Sequence, residues 1–180
     1  VFRIFLTQYS VLLSHAWPTF IETISGFGLG LTLGCITSIL MILLKPLQWW
    51  LLPILLASQA LPTFAIAPMI ILWLGYGMSS KIVTTVLMIF FPITSSFLDG
   101  LKKTPTAYLD LAKTMQAKRL TLLWYIQIPA ALPHLASGIR VSAVFAPMGA
   151  ILGEWVGSNE GLGYLLLNSN SRMQIDLMFA

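Results

Sequence analysis

The segment DLAKTMQAKRLTLLWYIQIPAALP, residues Asp110–Pro133, carries Lys113, Lys118 and Arg119 between two strongly apolar regions. The whole chain is poor in charge, since 57% of its 180 residues are hydrophobic and only 9% are charged. Soluble domains contain about 25% charged residues, so this composition is typical of a membrane protein. The sequence therefore predicts an all-α, polytopic transmembrane bundle in which the quoted segment is a connecting loop.

Four regions are long and apolar enough to cross a bilayer, which takes about 20 residues. They are predicted at 16–44, 51–75, 82–98 and 132–156, and a fifth span is expected to open near Ile175. Pro53, Pro62 and Pro68 predict a kink in the second span, because each removes a backbone donor. The chain begins at Val1 rather than Met. We therefore expect one transmembrane domain over 1–180, truncated at both ends.

The distribution of basic residues predicts the orientation. Loops 45–50 and 99–124 hold six of them, whereas segments 1–15, 76–81 and 157–173 hold three. The positive-inside rule therefore places the 99–124 loop in the cytoplasm. The six are Lys45, Lys102, Lys103, Lys113, Lys118 and Arg119, and the three are Arg3, Lys81 and Arg172.

Two spans carry glycine at every fourth position, which places small residues on one helix face. We interpret both sets as helix-packing positions where a neighbouring backbone comes close; a pore-lining role is the alternative. The residues are Gly26, Gly30 and Gly34 in the first span and Gly149, Gly153 and Gly157 in the fourth.

Several kinds of chemistry have no sequence signature here. The basic residues are dispersed, which argues against a nucleic-acid partner. No glycine is followed by lysine, so the phosphate-binding loop of an ATPase is missing. His15 and His134 lack metal-ligand spacing and are expected to be structural or interfacial. Glu22 is expected to be an interfacial residue near the outer end of its span.

The quoted segment is predicted to form a helical hairpin. Thr104-Pro105 is a helix-start signal, with a capping hydroxyl followed by proline at the first helical position. Apolar residues then recur on one helical face, and Pro129 and Pro133 are expected to break the chain before the fourth span. This face could lie on the membrane or dock into a groove of a partner. The face comprises Tyr108, Leu111, Ala112 and Met115.

The same segment resembles a known family. Asp110-Leu-Ala-x3-Gln116, nine residues and then Ile126-x-Ile128-Pro129 is similar to the cytoplasmic loop of ABC importer permeases, Glu-Ala-Ala-x3-Gly-x9-Ile-x-Leu-Pro. Gln116 stands where that pattern has glycine, which would allow a turn with positive φ. LPTFAIAPMIILWLGYG, FFPITSSFLDGL and GEWVGSNEGLGYLL are similar to the branch that imports sulfonates, nitrate and thiamine-precursor pyrimidines.

The resemblance implies a type I importer permease whose loop 99–128 forms coupling helices on a cytoplasmic ATPase. That ATPase would bind ATP and Mg, so no cofactor is expected in this chain. A solute-binding protein outside the cell, a second permease copy and membrane lipid are the other expected partners, in a bacterial inner membrane. The coupling residues would be Tyr108, Asp110, Leu111, Ala112, Lys113, Met115 and Gln116.

A pyrimidine solute would suit an aromatic face with amide or carboxylate partners. Gln59, Trp73, Glu154 and Trp155 are the candidates for such a translocation path. The main alternative function is a gradient-driven secondary transporter, which would need buried ion ligands near the membrane midplane. A membrane enzyme or assembly factor would need clustered catalytic groups, and a channel would differ in its uptake kinetics.

Overall fold

The computed structural model describes residues 8–179, and every regular element in that range is helical. Arg3, one of the residues used to predict the orientation, lies outside this range. The elements, in chain order, are α1 (Tyr9–Leu43), α2 (Lys45–Ser58), α3 (Thr63–Leu74), α4 (Met78–Lys102), α5 (Thr106–Thr114), α6 (Arg119–Leu122), a π-helical turn (Leu123–Gln127), α7 (Ile128–Gly157), α8 (Leu162–Ser171) and α9 (Ile175–Met178).

The long helices carry the membrane-spanning character. Within 8–179, three are long and apolar enough to cross a bilayer: α1, α4 and the continuous stretch Arg119–Gly157. The number rises to four if the interrupted pair α2 and α3 forms one span. The all-helical fold, with several helices long and apolar enough to span a bilayer, is thus confirmed for the described residues. Four full spans with the start of a fifth stay a prediction, since the chain near Ile175 forms only the four-residue α9.

The second span is interrupted rather than kinked. Helix α2 ends at Ser58 and α3 begins at Thr63, with Pro62 in an extended conformation at φ −61° and ψ 122°. Proline has no N–H to donate and disfavours helical geometry in the residue before it, so the helix ends here. Pro53 and Pro68 lie inside α2 and α3 without ending either helix.

The predicted break before the fourth span is wrong. Pro129 and Pro133 both lie within α7, and helical structure runs without interruption from Arg119 to Gly157. The π-helical turn Leu123–Gln127 immediately precedes these prolines. A π turn changes the local hydrogen-bond register, which can absorb the loss of a proline N–H inside a continuous helix.

The start of α5 also differs from the prediction. The hydroxyl of Thr104 donates to the carbonyl of Leu101, 3.1 Å away in the last turn of α4, and caps nothing in α5. Pro105 occupies the N-cap position, so the helix starts one residue later than expected. The short hydroxyl of threonine competes for nearby carbonyls in this way when the chain turns tightly.

The chain forms two compact units. The first contains the described residues of Val1–Gly30, Leu61–Ile89 and Ala143–Ala180, and the second those of Leu31–Ala60 and Phe90–Ser142. The core of the second unit includes Phe97, Leu101, Leu123 and Ala131, all of them at most 2% exposed. Burying such side chains contributes roughly 1.5–3 kcal/mol for each large one, which fixes the helices that carry the candidate site.

Candidate functional site

The second unit carries an apolar groove on the predicted hairpin. Its cavity is about 680 Å³, and the residues around it come from α5, from the turn after α5 and from the helical stretch that begins at α6. All four residues of the predicted apolar face line it. The lining residues are Tyr108, Leu111, Ala112, Met115, Ala117, Thr121, Leu122, Tyr125, Ile126, Pro129 and Ala130.

The four face residues differ in exposure. Tyr108 and Leu111 are more than half exposed and Met115 is 74% exposed, whereas Ala112 is buried. Ala112 therefore packs into the unit while the other three present apolar surface to the outside. Contiguous apolar surface of this kind, on a unit whose own core is filled, is typical of an interaction site.

Polar contacts fix the edges of the hairpin. Lys113 donates to Asp110 over 2.9 Å, and both side chains are largely exposed, so this ion pair adds little stability. The guanidinium of Arg119 donates to the carbonyl of Ile42 over 2.9 Å. This bond ties the start of α6 to the C-terminal turn of α1, where a positive charge is favourable.

Gln116 adopts the geometry that the family pattern assigns to glycine. Its φ is +55°, and it follows Met115 at the C-terminal end of α5. The N–H of Ala117 donates to the carbonyl of Ala112, which closes the helix end as in other helices that terminate with a left-handed residue. The tight turn therefore forms with glutamine, at a cost of about 1–2 kcal/mol relative to glycine.

The first unit is organised around the buried carboxylate of Glu154, which is 1% exposed. The hydroxyl of Thr19 donates to its Oε1 and the N–H of Gly163 donates to its Oε2, each over 2.6 Å. Charge-assisted hydrogen bonds to a buried carboxylate are among the stronger polar contacts in proteins. Glu154 therefore joins α7, α1 and α8.

The N-terminus of α8 is capped by side chains from other helices. Gly161 N–H donates to Nδ1 of His15, 3.1 Å away, and Leu162 N–H donates to the hydroxyl of Thr19, 2.9 Å away. With Gly163 on Glu154, three successive N–H groups are satisfied by α1 and α7. The first N–H groups of a helix have no partner within it, and its positive end favours a carboxylate.

A substitution at Gly161 tests whether these contacts at the N-terminus of α8 stabilise the protein. Its φ is +107°, and a Cβ built there would lie 2.1 Å from Oε1 of Glu154. We expect Gly161→Ala to lower the free energy of unfolding by about 3 kcal/mol or more, through backbone strain and overlap with the carboxylate. The measurement is denaturant unfolding in mild detergent. Gly77→Ala is the matched control, because nothing lies within 4 Å of its added Cβ. Equal stability of the two variants would contradict the account.

The first unit also contains a buried ion pair. Lys81 donates to Oε1 of Glu22 over 2.7 Å, and both residues are buried. A lysine at the start of α4 therefore neutralises Glu22, while the location of Glu22 near the outer end of its span stays a prediction. Its Oε2 has no hydrogen-bond partner within residues 8–179, and Glu154 is a close electrostatic neighbour.

Glu22 and Lys81 line a cavity of about 640 Å³ in the first unit. Trp17, Tyr76 and Trp155 form aromatic parts of its wall, and Glu160 adds a third charged side chain. The cavity is thus lined by aromatic rings together with a buried ion pair. Small-molecule sites commonly combine apolar or aromatic walls with a few placed polar groups.

Of the four residues predicted for the translocation path, one lines this cavity. Trp155 lines the cavity, whereas Glu154 faces the N-terminus of α8. Trp73 is exposed in α3, and Gln59 belongs to the second unit, where it is exposed at the end of α2.

Sequence reasoning missed Lys81 because it was counted as a loop charge. An ionisable residue at the entry to an apolar span is the signal that could have found it.

The glycine positions lie against α4. A Cβ on Gly26 or Gly30 would lie 2.6 Å from side-chain atoms of Thr85 or Ile89, and one on Gly34 would lie 2.7 Å from Ile93. In α7, a Cβ on Gly149 or Gly153 would lie 2.8 Å or 3.0 Å from the Cα of Thr85 or Lys81. Gly157 lies against Ile71 of α3. Close approach of this kind is the usual function of small residues in membrane helices.

Comparison with known proteins gives consistent relatives. The family described as "Binding-protein-dependent transport system inner membrane component" matches residues 26–180. A probable ABC transporter permease protein of Haemophilus influenzae is 52% identical over 174 residues, covering 97% of this chain and 71% of that protein.

Two further relatives have named solutes. The formylaminopyrimidine transport permease protein ThiX of Halalkalibacterium halodurans is 40% identical over 86% of this chain and 62% of its own length. The putative aliphatic sulfonates transport permease protein SsuC of Bacillus subtilis is 30% identical over 94% of this chain and 61% of its own length. The chain thus spans less than two thirds of these two relatives.

Proposed function

Because the chain belongs to the inner membrane component family of binding-protein-dependent transport systems, as an ABC importer permease of the sulfonate and taurine branch, we propose that it is the permease subunit of an ATP-driven importer. Its solute would be a small polar organic molecule or anion: a pyrimidine thiamine precursor, a sulfonate or a nitrate-like ion. The chain itself is not an enzyme in this proposal, since ATP hydrolysis takes place on a partner subunit.

The apolar groove of the second unit carries this proposal. Tyr108, Leu111 and Met115 present apolar side chains around a concave surface on a loop that the charge distribution assigns to the cytoplasm. A concave apolar surface favours insertion of a partner's side chains over flat contact with lipid. We propose that an ATPase subunit docks here and that Asp110 and Lys113 flank the contact.

ATP binding on the partner can be coupled to transport only if it stabilises one conformation of the permease more than the other. ATP binding would drive transport by favouring one arrangement of the docked helices, and a ligand shifts an equilibrium only through different affinity for its states. The continuous helix from Arg119 to Gly157 connects the groove's residues to the segment that bears Glu154. A solute-binding protein on the outer face and a second permease copy complete the proposed assembly.

A gradient-driven secondary transporter is the second candidate, and the buried cluster of Glu22, Lys81 and Glu154 is the observation that favours it. Buried ionisable groups in membrane proteins are frequent proton or ion sites. The apolar groove has no function in that alternative, which is why the ATP-driven importer is preferred.

Purification of the tagged full-length protein from its own cells tests the proposal. In mild detergent we expect an ATPase subunit to co-purify in stoichiometric amount, because the exposed groove needs a partner to cover it. The partner is identified by mass spectrometry and by ATP hydrolysis of the complex. Isolation of the protein without any ATPase, under conditions that preserve other membrane complexes, would favour the secondary transporter.

A further inference from the structure

The charges around the first unit's cavity are unequal. Among the lining residues within 8–179, Lys81 is the one cation and Glu22 and Glu160 are two anions, which gives these residues a formal net charge of −1. Glu154 is a further acidic group that interacts electrostatically with Glu22, although the N-terminus of α8 partly offsets its charge. A cavity with surplus negative charge and low-dielectric walls repels anionic ligands and attracts cations.

The lysine offers little attraction to an anion. Lys81 already contacts Glu22 over 2.7 Å, so its charge is neutralised within the wall. Its ammonium group has three donors, and one of them is used on Glu22. The remaining donors suit an uncharged acceptor such as a ring nitrogen or a carbonyl group. Glu22 is 2% exposed and its Oε2 is buried without a donor within residues 8–179, so Glu22 acts on such a ligand through its charge.

The aromatic residues favour a planar ligand. Trp17, Tyr76 and Trp155 all line the cavity and all retain exposed surface. Aromatic rings stack on planar heterocycles, and their negative faces attract cations rather than anions. The aromatic rings and the surplus negative charge therefore both favour a planar, uncharged or cationic ligand over an anion.

We propose that this cavity binds an uncharged or cationic planar heteroaromatic solute through Lys81 and Glu22, and that it discriminates against sulfonates and other anions. This specificity rests on the proposed function as a solute permease and decides between the solute classes left open there. Glu22 is a specificity-determining residue in this account, because it sets both the net charge and the orientation of Lys81.

The test measures binding to the full-length protein in mild detergent, without ATP or an ATPase. The probes are 4-aminopyrimidine, which is uncharged at neutral pH, and pyrimidine-4-carboxylate, which places an anion on the same ring. Calorimetric titration gives both dissociation constants. We expect the amine to bind at least about tenfold more tightly, as a single charge repulsion at short range in a partly buried site implies.

Three variants establish which charges are responsible. Glu160→Gln removes an exposed anion and is expected to lower the amine-to-carboxylate preference by about threefold. Glu22→Gln brings the formal charge of the lining to zero and frees Lys81, and it is expected to abolish the preference. Asp99→Asn removes the same charge from the second unit and is expected to leave the ratio unchanged. If Glu22→Gln does not fold, Glu160→Gln alone decides, because its side chain is at the surface.

The expected order of affinities, together with its reduction by about threefold in Glu160→Gln, would support the proposal. Equal or tighter binding of the carboxylate to the parent, binding of neither probe, or an unchanged ratio in Glu160→Gln would overturn it. These outcomes are separate from the proposed function. ATP-driven uptake of an anion, with no binding of the amine, would refute the specificity and retain the importer, whereas amine binding without an ATPase partner would do the reverse.

Discussion

Replacing Met115 by aspartate is expected to detach the ATPase subunit and abolish ATP-driven uptake. Met115 is 74% exposed and lines the apolar groove beside Tyr108 and Leu111. A carboxylate there would have to be desolvated without a partner when the interface closes. Loss of a hot-spot residue weakens an interface by about 2 kcal/mol or more, and we expect Met115 to be one. We therefore expect at least about 30-fold weaker association, measured by co-purification, and uptake reduced at least about tenfold.

Two controls separate docking from folding in this experiment. Met115→Leu keeps the apolar side chain and is expected to retain the ATPase and most of the uptake. Met173→Asp places the same charge at another exposed methionine, which is 86% exposed and lies outside the groove. It is expected to behave as the parent, and its positive φ of 54° suits aspartate. Normal association in Met115→Asp would contradict the assignment of the groove.

Removing the Glu154 carboxylate is expected to destabilise the first unit by about 3–5 kcal/mol. Glu154→Ala leaves Gly163 N–H and the Thr19 hydroxyl without their acceptor in a buried site, and it opens a cavity. The N-terminus of α8 also loses its counter-charge. The free energy of unfolding in mild detergent, compared between variant and parent, is the measurement.

Glu154→Gln distinguishes the hydrogen bonds from the charge. Its carbonyl oxygen can still accept from Gly163, and its amide can donate to Thr19, so a loss of about 1–2 kcal/mol is expected. Glu160→Ala is the surface control, with an expected change within about 0.5 kcal/mol. If Glu154→Ala unfolds at the same denaturant concentration as Glu160→Ala, Glu154 does not hold α8 in place.

The hairpin was predictable because its signals are local. Four apolar residues at helical spacing placed Tyr108, Leu111, Ala112 and Met115 together, and all four line one cavity. Spacing alone did not show that Ala112 is buried while Met115 is exposed, since that depends on which helices pack against α5. Gln116 supplies the left-handed turn, which a reading based on glycine alone would miss.

The hydrogen bonds that Glu154 accepts were not predictable, for a different reason. Its partners Thr19 and Gly163 lie 135 residues before it and nine residues after it. Only packing of α1, α7 and α8 brings them together. Proximity between positions so far apart in the chain is not encoded in hydrophobic periodicity. The buried pair of Glu22 and Lys81 was missed likewise, because each residue considered alone is compatible with a span end.

The proline errors share one cause. Pro62 lies in the break between α2 and α3, at the N-cap position of α3, whereas Pro129 and Pro133 are accommodated within a helix. The difference lies in the backbone: a π-helical turn ends close to Pro129, whereas Pro62 is itself extended and follows the end of α2 at Ser58. A proline in sequence indicates a missing donor, and the surrounding helices determine whether the chain breaks, bends or continues.

The central claim is that ATP drives solute movement through this subunit. Its most direct test is uptake into proteoliposomes that contain the purified permease complex, its solute-binding protein and enclosed ATP. Radiolabelled solutes of the pyrimidine and sulfonate classes serve as probes. The account predicts accumulation that requires hydrolysable ATP and persists when ionophores collapse all ion gradients. Accumulation that ionophores abolish and that proceeds without ATP would contradict it and identify a gradient-driven transporter instead.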